Sequence, residues 1–534
     1  MGFKSFILLS IAVFLIFKCS YADEKNLPKI SGKWYENAVW YQVFPDRFNA
    51  FNQGFKTALT DNYDKYANII HRDLVQWDND RPTNFDKYGG NLQGIISKLK
   101  YLKELGINAI WLNPIFIATS NHRYNTSDYL KIDPLLGTEE DFDELLNKAH
   151  KLGIKIILDG VFNHTGYEFW AFQDIVKNGK NSRYKDWYTI KSYPVRKLYQ
   201  QDAKHPANYE CWWNIGSLPK LNYKNPEVRD YIFSVTKKWM TKGIDGWRLD
   251  VPQEIKEMDF WQDWCKLVRT CNHDAFILGE IWDNASEWVN TGELFNASMN
   301  YYGFREPVLR FFSAEKTTVS EFDKELNDIR KNYSPDANYS MVNLLGSHDT
   351  ARISSVIFNK DLKDSDKEKK GYKIGNVDEL TLEKLRIIYL FQMTYVGCPI
   401  IYYGDEIGME GGKDPDCRRP MQWDESKQNK ELFNYIKNLI KIRDDNPALR
   451  TGIYKTVFCD DKKKIYSYLR EKDKDKFFVI FKYSPNEHKA EIILPDGFKN
   501  AELKDLITNK TYKVTNYKLT LNMNGYSGYI LREN

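Results

Sequence analysis

Four segments of the sequence close an apolar run with a carboxylate: Asp159-Gly160-Val161-Phe162-Asn163-His164, Gly246-Trp247-Arg248-Leu249-Asp250, Gly279-Glu280-Ile281-Trp282 and Gly346-Ser347-His348-Asp349. Burying an unpaired carboxylate at such a place costs several kcal/mol. A single Asp at a strand end is more often a turn or a helix cap, but four in four separate runs point to one shared site. Paired carboxylates suit general acid and base work or nucleophilic attack. Carboxylates with histidines also suit a metal centre, so both chemistries stay open on this pattern alone. Arg248 stands two residues before Asp250, on the same face of a strand, where its guanidinium can hold that carboxylate ionised and aligned or simply form a structural salt bridge.

These side chains need a scaffold that brings distant runs together. From about residue 39 to residue 406 short apolar runs alternate with amphipathic stretches, the rhythm of βα units around a parallel sheet. Strands are expected at 39–44, 109–113, 155–159, 246–250, 276–280, 297–301, 341–346 and 399–403, with helices such as 92–105 and 139–152 between them. Eight runs imply an α/β fold, a closed (β/α)8 TIM barrel, in which working residues gather at the carboxyl ends of the strands. The segments quoted above fall on the third, fourth, fifth and seventh. Residues 164–221 interrupt the rhythm with a long, aromatic, turn-rich stretch, expected as an inserted subdomain after strand 3 that forms one wall of a cleft. Residues 359–377 read as a surface loop. Beyond about residue 448 short alternating strands such as 464–469, 477–482 and 490–494 predict a C-terminal antiparallel β-sandwich, so the expected division is 1–22, 23–447 and 448–534.

Residues 1–22 carry Lys4, an apolar run over 6–17 and Ser20-Tyr21-Ala22, the pattern of a signal peptide cleaved before Asp23. Export follows: a secreted or extracellular protein, with periplasmic and surface-attached locations compatible. Lys18 beside Cys19 fits lipidation poorly. The run is too short for an ordinary span, and no later stretch reaches the apolar length of one, so no membrane span is expected after signal removal. The formal net charge of +4 carries no polyanion-scale basic excess, which argues against nucleic acid as a partner. Aromatic residues make up 15% of the chain, enough to stack flat ligands such as sugar rings. Cys211, Cys265, Cys271, Cys398, Cys417 and Cys459 are too scattered for a disulfide framework or a metal motif and are expected as free, buried thiols.

The four strand-end segments, in order, resemble the signature regions of the α-amylase family, glycoside hydrolase family 13. The likeness extends to Val39-Trp40-Tyr41-Gln42-Val43-Phe44-Pro45-Asp46-Arg47-Phe48, to 121–129 with His122 and Tyr124, and to Ile401-Tyr402-Tyr403-Gly404-Asp405-Glu406-Ile407-Gly408. Within the family, Leu218-Pro219-Lys220-Leu221-Asn222 and 411–418 are similar to the neopullulanase, cyclomaltodextrinase and maltogenic amylase branch. The resemblance implies a retaining hydrolase of α-1,4-glucosidic bonds, and of some α-1,6 bonds, in starch, maltodextrins or cyclodextrins. Asp250 is then the nucleophile, Glu280 the general acid/base and Asp349 the third carboxylate, which holds sugar hydroxyls near the bond being broken. Such chemistry needs one carboxyl protonated while its neighbour stays ionised. His122, Tyr124, His164 and His348 match substrate-binding positions, Arg248 and Trp282 flank the two principal carboxylates, and Asp159 supports the site through Arg248. Glu254, four beyond the nucleophile, reads equally as facing an acceptor sugar or as solvated surface.

Departures from the pattern qualify the inheritance. Only residues 23–38 separate the expected cleavage point from the first strand, so the branch's N-terminal β domain is absent from the expected architecture and a more open cleft is expected. The stretch Val251-Pro252-Gln253-Glu254 departs from the branch's usual residues, leaving linkage preference open. The branch's calcium loop is poor in carboxylates here, at 48–53 and at Gly89-Gly90-Asn91, and fewer charged ligands weaken a hard-cation site. Asn163 matches a calcium ligand of other amylases. No cofactor is required by the chemistry. A dedicated transglycosylase and a catalytically silent glucan-binding protein are the competing readings.

Overall fold

The computed structural model describes residues 33–51, 75–78, 81–360 and 377–533. The expected signal segment, most of the expected loop at 359–377, and Asn52 and Gln53 of the compared calcium loop lie outside the described residues. Trp34–Asn534 forms one compact unit. Among the described residues no helix is long and apolar enough to cross a membrane.

Eight parallel strands build the barrel: β1 (Trp40–Val43), β2 (Ala109–Leu112), β3 (Lys155–Gly160), β4 (Gly246–Leu249), β5 (Phe276–Gly279), β6 (Ala297–Ser298), β7 (Val342–Leu344) and β8 (Cys398–Tyr402). They pair in the order β6-β5-β4-β3-β2-β1-β8-β7. An isolated parallel bridge between Met299 and Val342 joins the two ends. Apart from Lys155 every strand residue is buried, which is why the strands read as near-continuous apolar runs.

Alternation along each strand sorts the side chains. Trp40, Trp111, Ile157, Phe276, Leu278, Val342 and Ile400 fill the barrel interior as one cluster, while Tyr41, Ile110, Ile156, Trp247, Ile277 and Ile401 pack outward under the helices. The inward set continues upward through Gln42, Asn113, Asp159, Arg248, Asp250 and Glu280. Gly246 opens β4 because a Cβ there would collide with the Phe276 backbone carbonyl of β5.

The helices start and stop where their termini find partners. Asn91 caps Leu92–Leu105 by accepting from the Gly94 N–H, and Gly106 ends it at φ 103°. Thr138 and Asp141 form a capping box for Glu139–Lys151, whose acidic first turn faces the positive end of the helix dipole.

Three expectations need correction. The sixth run stops at Ser298, not at 301, because the Asn300 side chain accepts from the Gly303 N–H at 3.0 Å and turns the backbone into a π-type turn over Tyr301–Arg305. The seventh strand is shorter than 341–346, so Asp349 sits on the loop beyond it. Cys265, Cys398 and Cys417 are buried, but Cys271 is exposed and Cys211 and Cys459 are half-buried.

Eight antiparallel strands follow: β9 (Ile453–Asp460), β10 (Ile465–Lys472), β11 (Asp475–Lys482), β12 (His488–Ile493), β13 (Glu502–Asp505), β14 (Thr511–Thr515), β15 (Lys518–Met523) and β16 (Ser527–Glu533). They run β9-β10-β11-β16-β13-β14-β15-β12 around a separate apolar core with Phe478, Ile492, Leu503, Leu519 and Leu531. Their inner edge meets the barrel through Tyr483 Oη, which donates to the Phe312 carbonyl at 2.7 Å, and through the buried Arg443 and Arg470.

Candidate active site

Arg248 is the hub. It is fully buried, and Nη1 donates to Asp159 Oδ1 at 2.8 Å and to Asp250 Oδ1 at 3.1 Å, while Nη2 forms an ion pair with Glu280 Oε2 at 2.7 Å. The guanidinium also packs over the Trp111 ring, 4.8 Å from its centroid. Burial opposes its charge, but Asp159 and Glu280 outweigh that and hold it firmly protonated. Three carboxylates on one cation leave net negative charge in a low-dielectric pocket, which destabilises full ionisation. Accordingly burial, with Glu280 and Asp159 adding to it, pushes Asp250 well up against the pull of Arg248. Burial brings Asp159 to about 6, again opposed by Arg248.

Glu280 is aimed by two further contacts. Trp282 Nε1 donates to Oε1 at 3.1 Å and the Val251 N–H to Oε2 at 3.2 Å. Val251 adopts φ 35° and ψ 53°, a left-handed conformation that a β-branched residue rarely enters. Trp282 is 39% exposed and stacks on Tyr301 with centroids 3.8 Å apart and planes 9° from parallel, so one indole face looks out of the site.

Asp349 joins from the loop after β7. His348 Nε2 faces its Oδ2 at 3.2 Å and Arg418 Nη2 donates to its Oδ1 at 3.1 Å. Burial and then Glu280 push it up to about 7, against Arg418. His348 is oriented by Gln42, whose Nε2 donates to Nδ1 at 2.9 Å and leaves the ring proton on Nε2, toward Asp349. The same amide donates to Asn113 Oδ1 at 2.9 Å. Asn113 donates to Tyr124 Oη at 2.8 Å, and Tyr124 Oη donates to Asp159 Oδ2 at 2.8 Å. One hydrogen-bonded chain therefore links the His348 side of the pocket to the Arg248 side. Trp111 Nε1 adds a bond to Asp159 Oδ2 at 3.1 Å.

Tyr124 stacks on His348 at 5.2 Å and 6° and on His122 at 5.8 Å and 29°. Tyr124 and His122 come from the turn between the short strands Phe116–Ala118 and Thr126–Ile132, a ribbon that leaves the barrel after β2. His164 Nε2 donates to the Tyr124 carbonyl at 3.1 Å. Burial pulls His122 down to about 3 and His164 to about 4 and depresses His348 strongly, so all three imidazoles are neutral near pH 7. Every residue expected at the site converges on this pocket. Glu254 instead pairs at its edge with Lys220 of the insert at 3.3 Å.

Sequence reasoning gave no role to Gln42, Trp111, Asn113, Val251, Tyr301 or Arg418. Gln42 and Arg418 lie inside stretches whose likeness to the family was visible. The strand alternation that places Arg248 inside the barrel also places Gln42 and Trp111 there.

Asn163 is fully buried, and its Oδ1 has no hydrogen-bond partner, while its Nδ2 donates to His164 Nδ1 at 3.1 Å. A cation would satisfy that oxygen, but among the described residues no three His, Cys, Asp or Glu side chains converge to hold one. Asn91 Oδ1 is committed to its helix cap at 2.7 Å from the Gly94 nitrogen, and its Nδ2 to the Phe51 carbonyl.

Comparison with known proteins extends these observations. Residues 42–452 match the family model described as "Alpha amylase, catalytic domain". Neopullulanase 2 of Thermoactinomyces vulgaris is 39% identical over 500 residues, spanning 93% of this chain and 78% of that one. The intracellular maltogenic amylase of Bacillus subtilis is 38% identical over 451 residues, 84% of this chain and 68% of the other. A solved cyclomaltodextrinase superposes with a TM-score of 0.82 at 33% identity, covering 94% of this chain and 78% of that structure.

Proposed function

Because the chain belongs to the α-amylase family and is a glycoside hydrolase, we propose that it cleaves α-1,4-glucosidic bonds, with some α-1,6 cleavage, in starch, maltodextrins or cyclodextrins by a retaining mechanism. One observation carries this reading: a single guanidinium contacts both Asp250 and Glu280, at 3.1 and 2.7 Å. Sharing so small a group keeps the two carboxyls in one pocket, which is compatible with the roughly 5 Å separation of retaining enzymes.

In this mechanism Glu280 protonates the leaving glycosidic oxygen as Asp250 attacks the anomeric carbon, forming a covalent glycosyl-enzyme. Glu280 then takes a proton from water as that water displaces Asp250, which leaves with its electron pair restored. The first step needs one carboxyl protonated while its neighbour is ionised, the division of roles that two close carboxyls in unlike surroundings can supply. Asp349 and neutral His348 donate to and accept from sugar hydroxyls. His122, Tyr124 and His164 line the same subsite. Arg248 keeps Asp250 aligned, Asp159 steadies Arg248, and no step runs through a metal. The outward indole face of Trp282 suits an acceptor sugar, which favours some transglycosylation.

A timed product profile on soluble starch, pullulan and β-cyclodextrin tests the activity, with Glu280→Gln beside wild type, and proton NMR reads the first anomer released. The α-anomer is expected; initial release of the β-anomer overturns the retaining assignment. Long maltodextrins from starch would indicate endo action, and rapid ring opening of cyclodextrin a site adapted to short ligands. Export rests on residues 1–22 alone, and the expected result is an extracellular protein beginning at Asp23; a cytosolic full-length chain overturns it. Full turnover after chelation is expected, and loss on chelation would overturn the metal-free mechanism.

A further inference from the structure

The insert holds an aromatic feature that the catalytic network does not use. Trp212 stacks on the His164 ring at 5.6 Å and 20°, and Trp213 stacks on Trp212 at 4.4 Å and 10°. This column runs from a pocket residue to the surface, where Trp213 is 75% exposed. Trp213 and Asn214 are both left-handed, at φ 48° and 59°. Asn enters that region readily, but Trp holds it only when its surroundings impose it.

The surroundings do so. The Trp212 N–H donates to the Leu218 carbonyl at 3.0 Å, Ile215 to Trp212 at 2.9 Å and Leu218 to Ile215 at 2.9 Å. Bridges from Cys211 to Pro219 and from His164 to Lys220 close the base of the loop. Lys220 in turn reaches Glu254, four residues past Asp250. A tied, strained loop thus displays its largest apolar side chain to water, with a second indole behind it fixing the ring plane. Core packing accounts for none of this exposure, and contact with the His164 ring places the display beside the pocket.

We propose that Trp213, backed by Trp212, is a stacking platform for a glucose unit of the α-glucan remote from the bond being cleaved. A flat apolar ring suits the C–H face of a pyranose, while the sugar's hydroxyls stay in water. The platform extends the site along the insert and discriminates by chain length rather than by linkage. It rests on the α-glucan reading above.

Calorimetric titration of Glu280→Gln and of Glu280→Gln/Trp213→Ala with maltoheptaose and maltotriose tests it. The expected result is an affinity loss of about fivefold for maltoheptaose and little change for maltotriose, with Trp213→Phe recovering most of the loss. Equal maltoheptaose affinity with and without the indole overturns the platform. So does an equal loss on both sugars, which would mark a distorted pocket. If Glu280→Gln binds neither sugar, the α-glucan reading fails and the platform with it, a result distinct from the other two.

Discussion

The chain buries arginine in two places and stabilises the charge in opposite ways. At the carboxyl end of the barrel, Arg248 is surrounded by Asp159, Asp250 and Glu280. At the junction with the C-terminal sheet, Arg443 donates to the carbonyls of Met393 and Leu449, both at 2.9 Å, and of Gly397 at 2.5 Å. Arg470 there donates to those of Leu449 and Gly452, both at 3.0 Å, and of Thr394. Burial lowers Arg443 to about 9 and Arg470 to about 10, because carbonyl dipoles offset only part of the lost hydration. Carboxylates more than compensate Arg248. The contrast separates structure from chemistry: a carbonyl cannot exchange a proton near neutrality, whereas a crowded carboxylate can.

Three experiments bear on that contrast, beginning with the largest effect. Asp250→Asn should lower turnover by about 10,000-fold while maltodextrin binding survives, since it removes the attacking anion and keeps the shape. Turnover near the wild-type level would remove the mouth of the barrel from the chemistry. Arg443→Met should leave kcat/KM unchanged but cost about 3 kcal/mol or more in urea unfolding, because several buried carbonyls lose their donor. A loss of activity without a loss of stability would dissolve the distinction.

The smallest effect concerns where the proton resides. Asp349 stands at about 7 in the folded protein against an ordinary 3.8. Well below pH 4, both states hold the proton and the residue is neutral in stability. As pH rises from there to about 7, the unfolded chain releases the proton while the folded state keeps it, so wild type loses stability across that window, and the loss is complete once the folded carboxyl ionises above 7. Asp349→Asn should therefore melt higher than wild type at pH 8, by about 2 °C, with the gap closing toward pH 4. A gap that is constant over that range in thermal melts would place the proton elsewhere.

Much of this arrangement was legible in the sequence, for a physical reason. Strands buried on both faces must be continuously apolar, so a charged residue closing such a run stands out, as Asp159, Asp250 and Glu280 do. Where a strand's end is set by a side chain rather than by hydropathy, the signal fails: Asn300 cuts the sixth strand by capturing the Gly303 N–H. Long-range polar partners are equally silent. Gln42 reaches His348 across 306 residues, and nothing local to either announces the other. Val251 is hidden for another reason, since its left-handed backbone contradicts its own propensity and becomes intelligible only beside Glu280. The expectation that Asp250 stays ionised follows from the chemistry, but the crowding that opposes it is visible only in three dimensions.

The barrel closes through β6, two residues long, and through the single bridge between Met299 and Val342. Elsewhere adjoining strands share longer ladders; at β1 and β2 four residue pairs are in register. The wall is thus a ring whose strand pairing is shortest at one seam, where Asn300 adds bonds to the Val342 carbonyl and to Asn343 Oδ1, both at 2.8 Å. Tyr301, on which Trp282 rests, stands two residues beyond that bridge, so the part of the mouth nearest the Glu280 side is founded on side-chain bonds and ring stacking more than on a strand ladder.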